Sequence, residues 1–353
     1  MSAGGPRRIC IVRLSALGDV CLVVPLVRTL QRNFPDAQIT WVIGAAAYQL
    51  VDGLDGVEFI VVDKVKPLAS WRKLRGRSFD ALLAVQASFR AHVLLTAIRA
   101  PIRIGFDSTR AKDLHGLFIN RRIPAREQHL LDSFLSFGTA LGAKQQVIEW
   151  RLPIGDADHA FARAQLAGGA PWLAINPMAS KPERNWLPDR YAAVIDHAIA
   201  SMGWRVVLTG GSASEEGAFA EQVLAAVKQK GEVANLVGKT TPKQLAAVLA
   251  RARMLLAPDT GPVHIATAMG TPVIGLYAVA PPKLSGPYSS RDLVIDRFPE
   301  AVRTILGKDP ARVSWGTRVH TQRAMELIQV NDVVEKLGRI ATSRDQEGAS
   351  PES

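Results

Sequence analysis

Cysteine is nearly absent from this chain. Only Cys10 and Cys21 occur among 353 residues. They form no C-x-x-C pair, so neither a disulfide framework nor a cysteine–histidine zinc site can be written. Each falls in an apolar run and reads as a small buried hydrophobe in a reducing compartment. Long apolar runs are missing as well. Nowhere do about 20 apolar residues follow one another, which leaves no candidate for a membrane-spanning helix. The opening MSAGGPRRICIVRL has no long apolar stretch leading to a small-residue cleavage site, so no secretory leader is expected and a cytoplasmic location is. Aromatics are sparse and no nucleic-acid-binding module can be picked out, so nucleic acid is not an expected partner. The first strand–helix turn lacks the G-x-G-x-x-G fingerprint, which argues against a nicotinamide-dependent dehydrogenase.

What remains is a globular chain. Hydrophobic residues make up 48% and charged residues 21%, a balance that excludes general disorder. The length suits two domains of ordinary size. The net charge is +11, and the excess is concentrated: residues 60–126 hold fourteen Lys/Arg against four Asp. Lys64, Lys66, Arg72, Lys73, Arg75 and Arg77 open this stretch. Arg99, Arg103, Arg110, Lys112, Arg121, Arg122 and Arg126 continue it. Such a region favours anionic partners, phosphorylated lipid or a membrane surface among them, beside the plainer reading of a solvated face.

Hydrophobic periodicity gives two series of alternating strands and helices. In the first, strands are expected at 9–14, 39–43, 57–62, 80–85 and 102–106, with helices at 20–34, 68–76, 88–99 and 127–141. The pattern restarts with strands at 172–176, 205–210, 233–237, 254–258 and 273–277, separated by helices at 189–202, 214–230, 242–251 and 262–269. A linker is expected near 151–158 and a last helix near 322–340. Repeated strand–helix alternation predicts an α/β class with two doubly wound parallel sheets, Rossmann-like, facing a central cleft. The expected division is 1–155, 156–325, a C-terminal helix at 326–340 and a disordered tail at 341–353.

In such sheets ligands gather at the carboxyl ends of strands, and four segments fall there. In R-L-S-A-L-G-D-V (13–20), Gly18 permits a tight turn and Asp19 starts a helix. Asp19 reads either as a cap on free N–H groups or as a carboxylate general base. In A-P-D-T-G-P-V-H-I-A-T-A-M-G-T-P (257–272), a strand ends at Asp259, Thr260 and Gly261, and Pro262 opens a helix. Amides at a helix start suit phosphate, Thr260 adds a hydroxyl, and Gly261 allows close approach. His264, one turn in, reads first as a packing residue. In N-P-M-A-S-K-P-E-R-N-W-L-P (176–188), Ser180, Lys181 and Arg184 can neutralise a diphosphate leaving group, or form an ordinary basic loop. In T-G-G-S-A-S-E-E (209–216), Gly210 and Gly211 permit ligand approach, while Glu215 can accept from a ribose or simply complement a helix start. Asp156-Ala157-Asp158 has a metal-binding form but lies in the expected linker without companions, so it reads as solvated and no metal is assigned.

These four segments together resemble glycosyltransferase family 9, the ADP-heptose:lipopolysaccharide heptosyltransferases. The likeness covers most of 9–290, and D-T-G-x-x-H is its most specific part. It implies a GT-B fold and an inverting, metal-independent transfer of heptose from ADP-heptose to a lipopolysaccharide inner-core acceptor, with no cofactor beyond the ADP-sugar donor. By the resemblance, Asp19 matches the family's general base and Ser180 a hydroxyl contacting donor phosphates. Glu215 matches the acid beside the ribose, and Asp259, Thr260, Gly261 and His264 match the donor loop. Arg184 stands where many members have lysine. Pro262 and Val263 replace a common leucine with threonine or serine. The 60–150 region is expected to meet the anionic acceptor, through residues such as Arg72, Arg110 and Arg122, with peripheral contact at the cytoplasmic face of the inner membrane. Two other readings stand beside this one: the same fold using another NDP-sugar or acceptor, and a nucleotide-sugar-binding protein without catalysis.

Overall fold

The computed structural model describes residues 5–63 and 65–347, with 67 and 341–347 described by backbone alone. The chain divides into two compact units, Met1–Pro153 and Ile154–Ser353.

The first unit holds strands β1 (Arg8–Val12), β2 (Gln38–Gly44), β3 (Val57–Val62), β4 (Ala81–Leu83), β5 (Ile102–Gly105) and β6 (Arg121–Arg122). They pair in parallel in the order β3-β2-β1-β4-β5-β6. Helices α1 (Leu17–Asn33), α2 (Ala45–Val51), α3 (Pro67–Leu74), α4 (Phe89–Leu95) and α5 (Leu130–Leu141) connect or cover them. The second unit opens with α6 (Asp156–Gln165). Its strands are β7 (Trp172–Ile175), β8 (Arg205–Leu208), β9 (Val233–Asn235), β10 (Met254–Pro258), β11 (Val273–Tyr277) and β12 (Ile295–Asp296). Its other helices are α7 (Pro188–Met202), α8 (Ser214–Ala226), α9 (Pro242–Arg251), α10 (Gly261–Ala268), α11 (Pro282–Ser285), α12 (Phe298–Thr304) and α13 (Val330–Glu347). The sheet order is β12-β11-β10-β7-β8-β9. Both sheets therefore start in the middle, wind to one edge, return and wind to the other, the doubly wound arrangement.

Central strands covered on both faces must be apolar throughout. Ile9, Cys10, Ile11 and Val12 of β1 are fully buried, as are Met254 to Ala257 of β10. Cys10 stands beside Thr40 on one side and Leu82 on the other. Cys10 and Cys21 are both thiols, not joined to each other, and burial pushes each well above the ordinary thiol range. In the second unit Trp186 packs edge-on against Tyr191 (ring centroids 5.0 Å apart) and donates from Nε1 to Ile328 O at 3.0 Å. That bond ties the approach to α13 into the core.

Four expectations need correction. First, α1 begins at Leu17, so Gly18 is a buried residue of its first turn and not the turn before it. Second, residues 156–158 are not linker but the first turn of helix α6, which buries Ala162 and leads into the buried Leu166 at helical spacing. Asp158 Oδ2 accepts from Gly155 N at 3.2 Å, an N-terminal cap. Third, α2 was not foreseen; seven residues are too few to show periodicity. Fourth, the stretch expected as one helix from 322 splits into a 3-10 turn at Gln322–Leu327 and α13. α13 continues to Glu347, since no Gly or Pro interrupts 341–347, so that part of the expected tail is helical. Residues 348–353 and Lys64 lie outside the described residues.

Candidate functional site

At the carboxyl end of β1, Arg13 forms an ion pair with Asp19 across the first turn of α1. Arg13 Nη1 also donates to Val85 O at 2.9 Å, beyond β4, and the guanidinium lies 5.4 Å from the centre of the Phe134 ring. The strand ends are laced together here. Leu14 N donates to Gln86 Oε1 (2.7 Å) and Trp41 Nε1 to Arg13 O (3.2 Å). Gly44 comes so near that an added Cβ would lie 2.5 Å from Leu14 O. Asp19 is thus held on a rigid edge, with its side chain 28% exposed. Arg13 and the amide of Ala16 both donate to Oδ2. Among the described residues Oδ1 has no such bond.

The second unit brings its predicted residues together at the corresponding edge. Asp259 follows β10 and is 9% exposed. Ser285 Oγ, at the end of α11, donates to its Oδ1 at 3.1 Å. Arg184 Nη1 reaches its Oδ2 at 3.0 Å and its carbonyl oxygen at 3.3 Å. Tyr277 OH donates to Ser285 O at 3.1 Å. Burial, with Asp259 adding to it, pushes that hydroxyl well above its ordinary range. Asp259 is therefore a bracket that fixes Arg184, while Arg184 Nε is buried with no hydrogen-bond partner among the described residues. A cation held by one nitrogen, with donors to spare, suits an oxyanion. Thr260 caps α10 without using its side chain. Pro262 has no N–H, and Val263 N turns to Thr260 O at 3.2 Å. The amides that can meet an anion there are those of Thr260 and Gly261, fewer than the sequence suggests. His264 is 6% exposed, inside the protein.

The neighbouring loops are built alike. Asn185 Oδ1 accepts from Ala179 N at 2.8 Å, pinning the turn that leaves Ser180 and Lys181 exposed. Glu216 folds back to Gly211 N at 2.6 Å, and a Cβ on Gly210 would lie 2.9 Å from Glu216 Oε2. Glu216 is the brace, and Glu215 beside it stays exposed, accepting from Ser214 Oγ at 3.2 Å. Sequence reading missed Arg318. It sits in an irregular segment whose next residue donates from Val319 N to Val279 O at 2.9 Å. Arg318 Nη1 bonds Gly316 O (3.0 Å) and Thr317 O (2.9 Å). Burial lowers its pKa, and both Asp259 and Arg184 act on it electrostatically. No periodic or motif signal marks that segment.

The three arginines expected to meet an acceptor fare differently. Arg72 and Arg122 are exposed. Arg110 is ion-paired with Asp107, donates to Ser133 Oγ, and reaches Pro124 O at 3.0 Å. It braces the loop after β5. Beneath that loop lies a pair no motif announced: His92 Nε2 and His115 Nδ1 are 2.8 Å apart and buried. His115 Nε2 accepts from Phe106 N at 3.1 Å, so His115 donates from Nδ1 to His92. Burial first, then His92 and Arg122, push His115 down to about 4. A hollow of about 630 Å³ lined by Arg28, Arg32 and Asp55 lies apart from these edges, and its Arg28 is already paired with Asp55 at 2.7 Å.

Residues 68–303 match glycosyltransferase family 9 (heptosyltransferase). The chain belongs to this family. It is 34% identical over 340 residues to the lipopolysaccharide core heptosyltransferase OpsX of Haemophilus influenzae, covering 95% of this chain and 97% of that one. Among solved structures, the family 9 glycosyltransferase of Veillonella parvula superposes with a TM-score of 0.77 at 22% identity, over 95% of this chain and 97% of that one. The heptosyltransferase WaaC of Escherichia coli with ADP gives 0.71 at 20% identity, over 94% and 99%. These likenesses identify a GT-B fold and an enzyme of the heptosyltransferase family.

Proposed function

We propose that this chain transfers heptose from ADP-heptose to a lipopolysaccharide inner-core acceptor, with inversion at the anomeric carbon and without a metal ion. The observation that carries this reading is the bracket Ser285–Asp259–Arg184 beside the start of α10. It presents a fixed guanidinium to the place where a diphosphate would leave. ADP bound to the related WaaC and the name of the OpsX relative support the choice of donor and acceptor class.

In this reading Asp19 Oδ1 takes the proton from the acceptor hydroxyl as that oxygen attacks the anomeric carbon. Arg13 holds the carboxylate by its other oxygen. Arg184, Lys181, Ser180 and the amides of Thr260 and Gly261 stabilise the charge that grows on ADP, the service a metal performs in other transferases. Asp259 positions Arg184, Gly210 lets the donor approach, and Glu215 accepts from the ribose. His264 supports the start of α10 from within. Arg72 and Arg122 face the anionic acceptor, with Arg110 bracing the loop between them. The acceptor is lipid-borne, so the enzyme works as a peripheral protein at the cytoplasmic face of the inner membrane.

A mass-spectrometric assay with ADP-heptose and core lipopolysaccharide fragments tests the whole reading. A product heavier by one heptose, of inverted configuration, supports it. Transfer only from a different NDP-sugar would replace the donor. Tight ADP-heptose binding with no transfer to any fragment would leave a binding protein instead.

A further inference from the structure

Six large hydrophobic side chains are exposed among the described residues: Val65, Leu68, Phe89, Leu114, Leu117 and Ile148. The first five all follow the carboxyl ends of β3, β4 or β5, at one edge of the first sheet. None lies in the second unit. Scattered exposed apolar residues are ordinary; a set confined to one edge is not.

Three of them form a single preformed tip. Phe89 is 70% exposed, Leu114 75% and Leu117 77%. Asp113 Oδ2 accepts from Phe89 N at 3.0 Å, joining the start of α4 to the loop after β5. Leu117 N donates to Leu114 O at 2.9 Å. Asp113 and Leu114 hold left-handed backbone angles, φ 51° and 60°, which turn the tip outward. From inside, the His92–His115 pair and the Phe118 ring, stacked on His92 at 4.8 Å, fill the base. The loop thus spends its polar groups on its own structure and presents its apolar ones.

The rim is cationic. Arg90, Lys112, Arg121 and Arg122 are exposed around the tip, and Arg122 lies so close that a Cβ on Gly116 would come within 2.7 Å of its Nη2. The acid in the tip, Asp113, already accepts from Phe89. Apolar projections ringed by Arg and Lys match the anatomy of a lipid interface, acyl region below and headgroup phosphates around.

We propose that Phe89, Leu114 and Leu117 insert into the headgroup–acyl boundary of an anionic bilayer, with Arg90, Lys112, Arg121 and Arg122 against lipid phosphates. The proposal deepens the reading of an enzyme with a lipid-borne acceptor, and rests on it for the choice of a bilayer over another occupant. It places the lipid contact in the same sheet edge that carries Asp19.

Vesicle sedimentation tests this without donor or acceptor, so its failure leaves the transferase reading intact. The intact protein is mixed at low salt with vesicles of phosphatidylethanolamine and phosphatidylglycerol, or of phosphatidylcholine alone. Binding is expected to the anionic vesicles and to weaken with salt. The combined variant F89S/L114S/L117S is expected to bind at least about tenfold more weakly, with unchanged thermal melting and ADP affinity. In a second variant, Phe89→Trp, the emission is expected to shift to the blue on adding anionic vesicles. No binding by the parent protein, or equal binding by the triple variant, overturns the proposal. So does an unshifted Phe89→Trp spectrum, which would mean electrostatic adhesion alone. A concentration-dependent dimer that the triple variant abolishes would assign the tip to a second copy of the chain and overturn it too.

Discussion

The two sheets share one strand order, yet their carboxyl edges carry different chemistry. In the second unit that edge is polar and braced. Asp259 holds Arg184, Glu216 holds Gly211, Asn185 holds Ala179, and Arg318 interacts electrostatically with Asp259 and Arg184. In the first unit Arg13 holds Asp19 and Arg110 holds Asp107, while the loops further along the edge are rich in exposed basic and apolar side chains. The same backbone plan can do this because side chains in the loops, not the strands, meet the ligand. In the proposed function the edge of the second unit holds a small, highly charged donor, and that of the first supplies one reactive oxygen and a surface for a larger acceptor.

The largest effect should come from Asp19, the base proposed for the first unit. Asp19→Asn keeps the size and removes the base, and transfer is expected to fall by about 10²- to 10⁴-fold. Calorimetric ADP affinity should stay unchanged. Full turnover in that variant would end the proposed division of labour. Arg184→Ala should break the other side of the comparison. It removes the fixed cation and leaves Asp259 without that brace, with an expected loss of about 10²- to 10³-fold in kcat/KM. Arg184→Lys should recover part of this, since it restores the charge but not the planar fork. If Lys and Ala variants behave alike, geometry outweighs charge at that position.

A third test sharpens the contrast in stability. His115 is 1% exposed and titrates near 4, against 6.5 for an ordinary histidine. The unfolded chain therefore binds the proton first. Stability should fall as pH drops from about 6.5 to 4, by roughly 3 kcal/mol from this group, and level off below. In His115→Gln that slope should shrink, leaving the part due to His92, which burial also lowers, so urea midpoints of the two proteins should converge as the pH falls. Parallel curves would mean that the histidine pair does not govern this edge. The smallest effect is expected from chelation. EDTA should leave the transfer rate unchanged, and a rate restored only by added divalent metal would move the leaving-group role away from Arg184 and Lys181.

Much of the fold is legible because alternation is a strong signal. The elements at 57–62, 242–251, 254–258 and 273–277 appear at the residues the pattern predicts. Helix α6 hides because its apolar face is small: Ala162 is its one buried residue. The site is legible where strand, turn and helix follow in order, as at 254–268. It is not legible where partners are far apart in sequence. Ser285 bonds Asp259, and Arg318 comes under its electrostatic influence, through folding alone. Nor can a pair such as Glu215 and Glu216 be sorted from sequence, because their difference is which one turns back to the chain.

The two thiols offer a probe that none of these tests uses. Cys10 and Cys21 are fully buried in β1 and α1, and the second unit contains no cysteine. A thiol-reactive reagent can reach them only when the first unit opens. Pulsed alkylation followed by intact-mass measurement would therefore clock the opening of that unit alone, in the full chain and without any introduced label. Adding ADP should slow alkylation only to the extent that donor binding in one unit steadies the other.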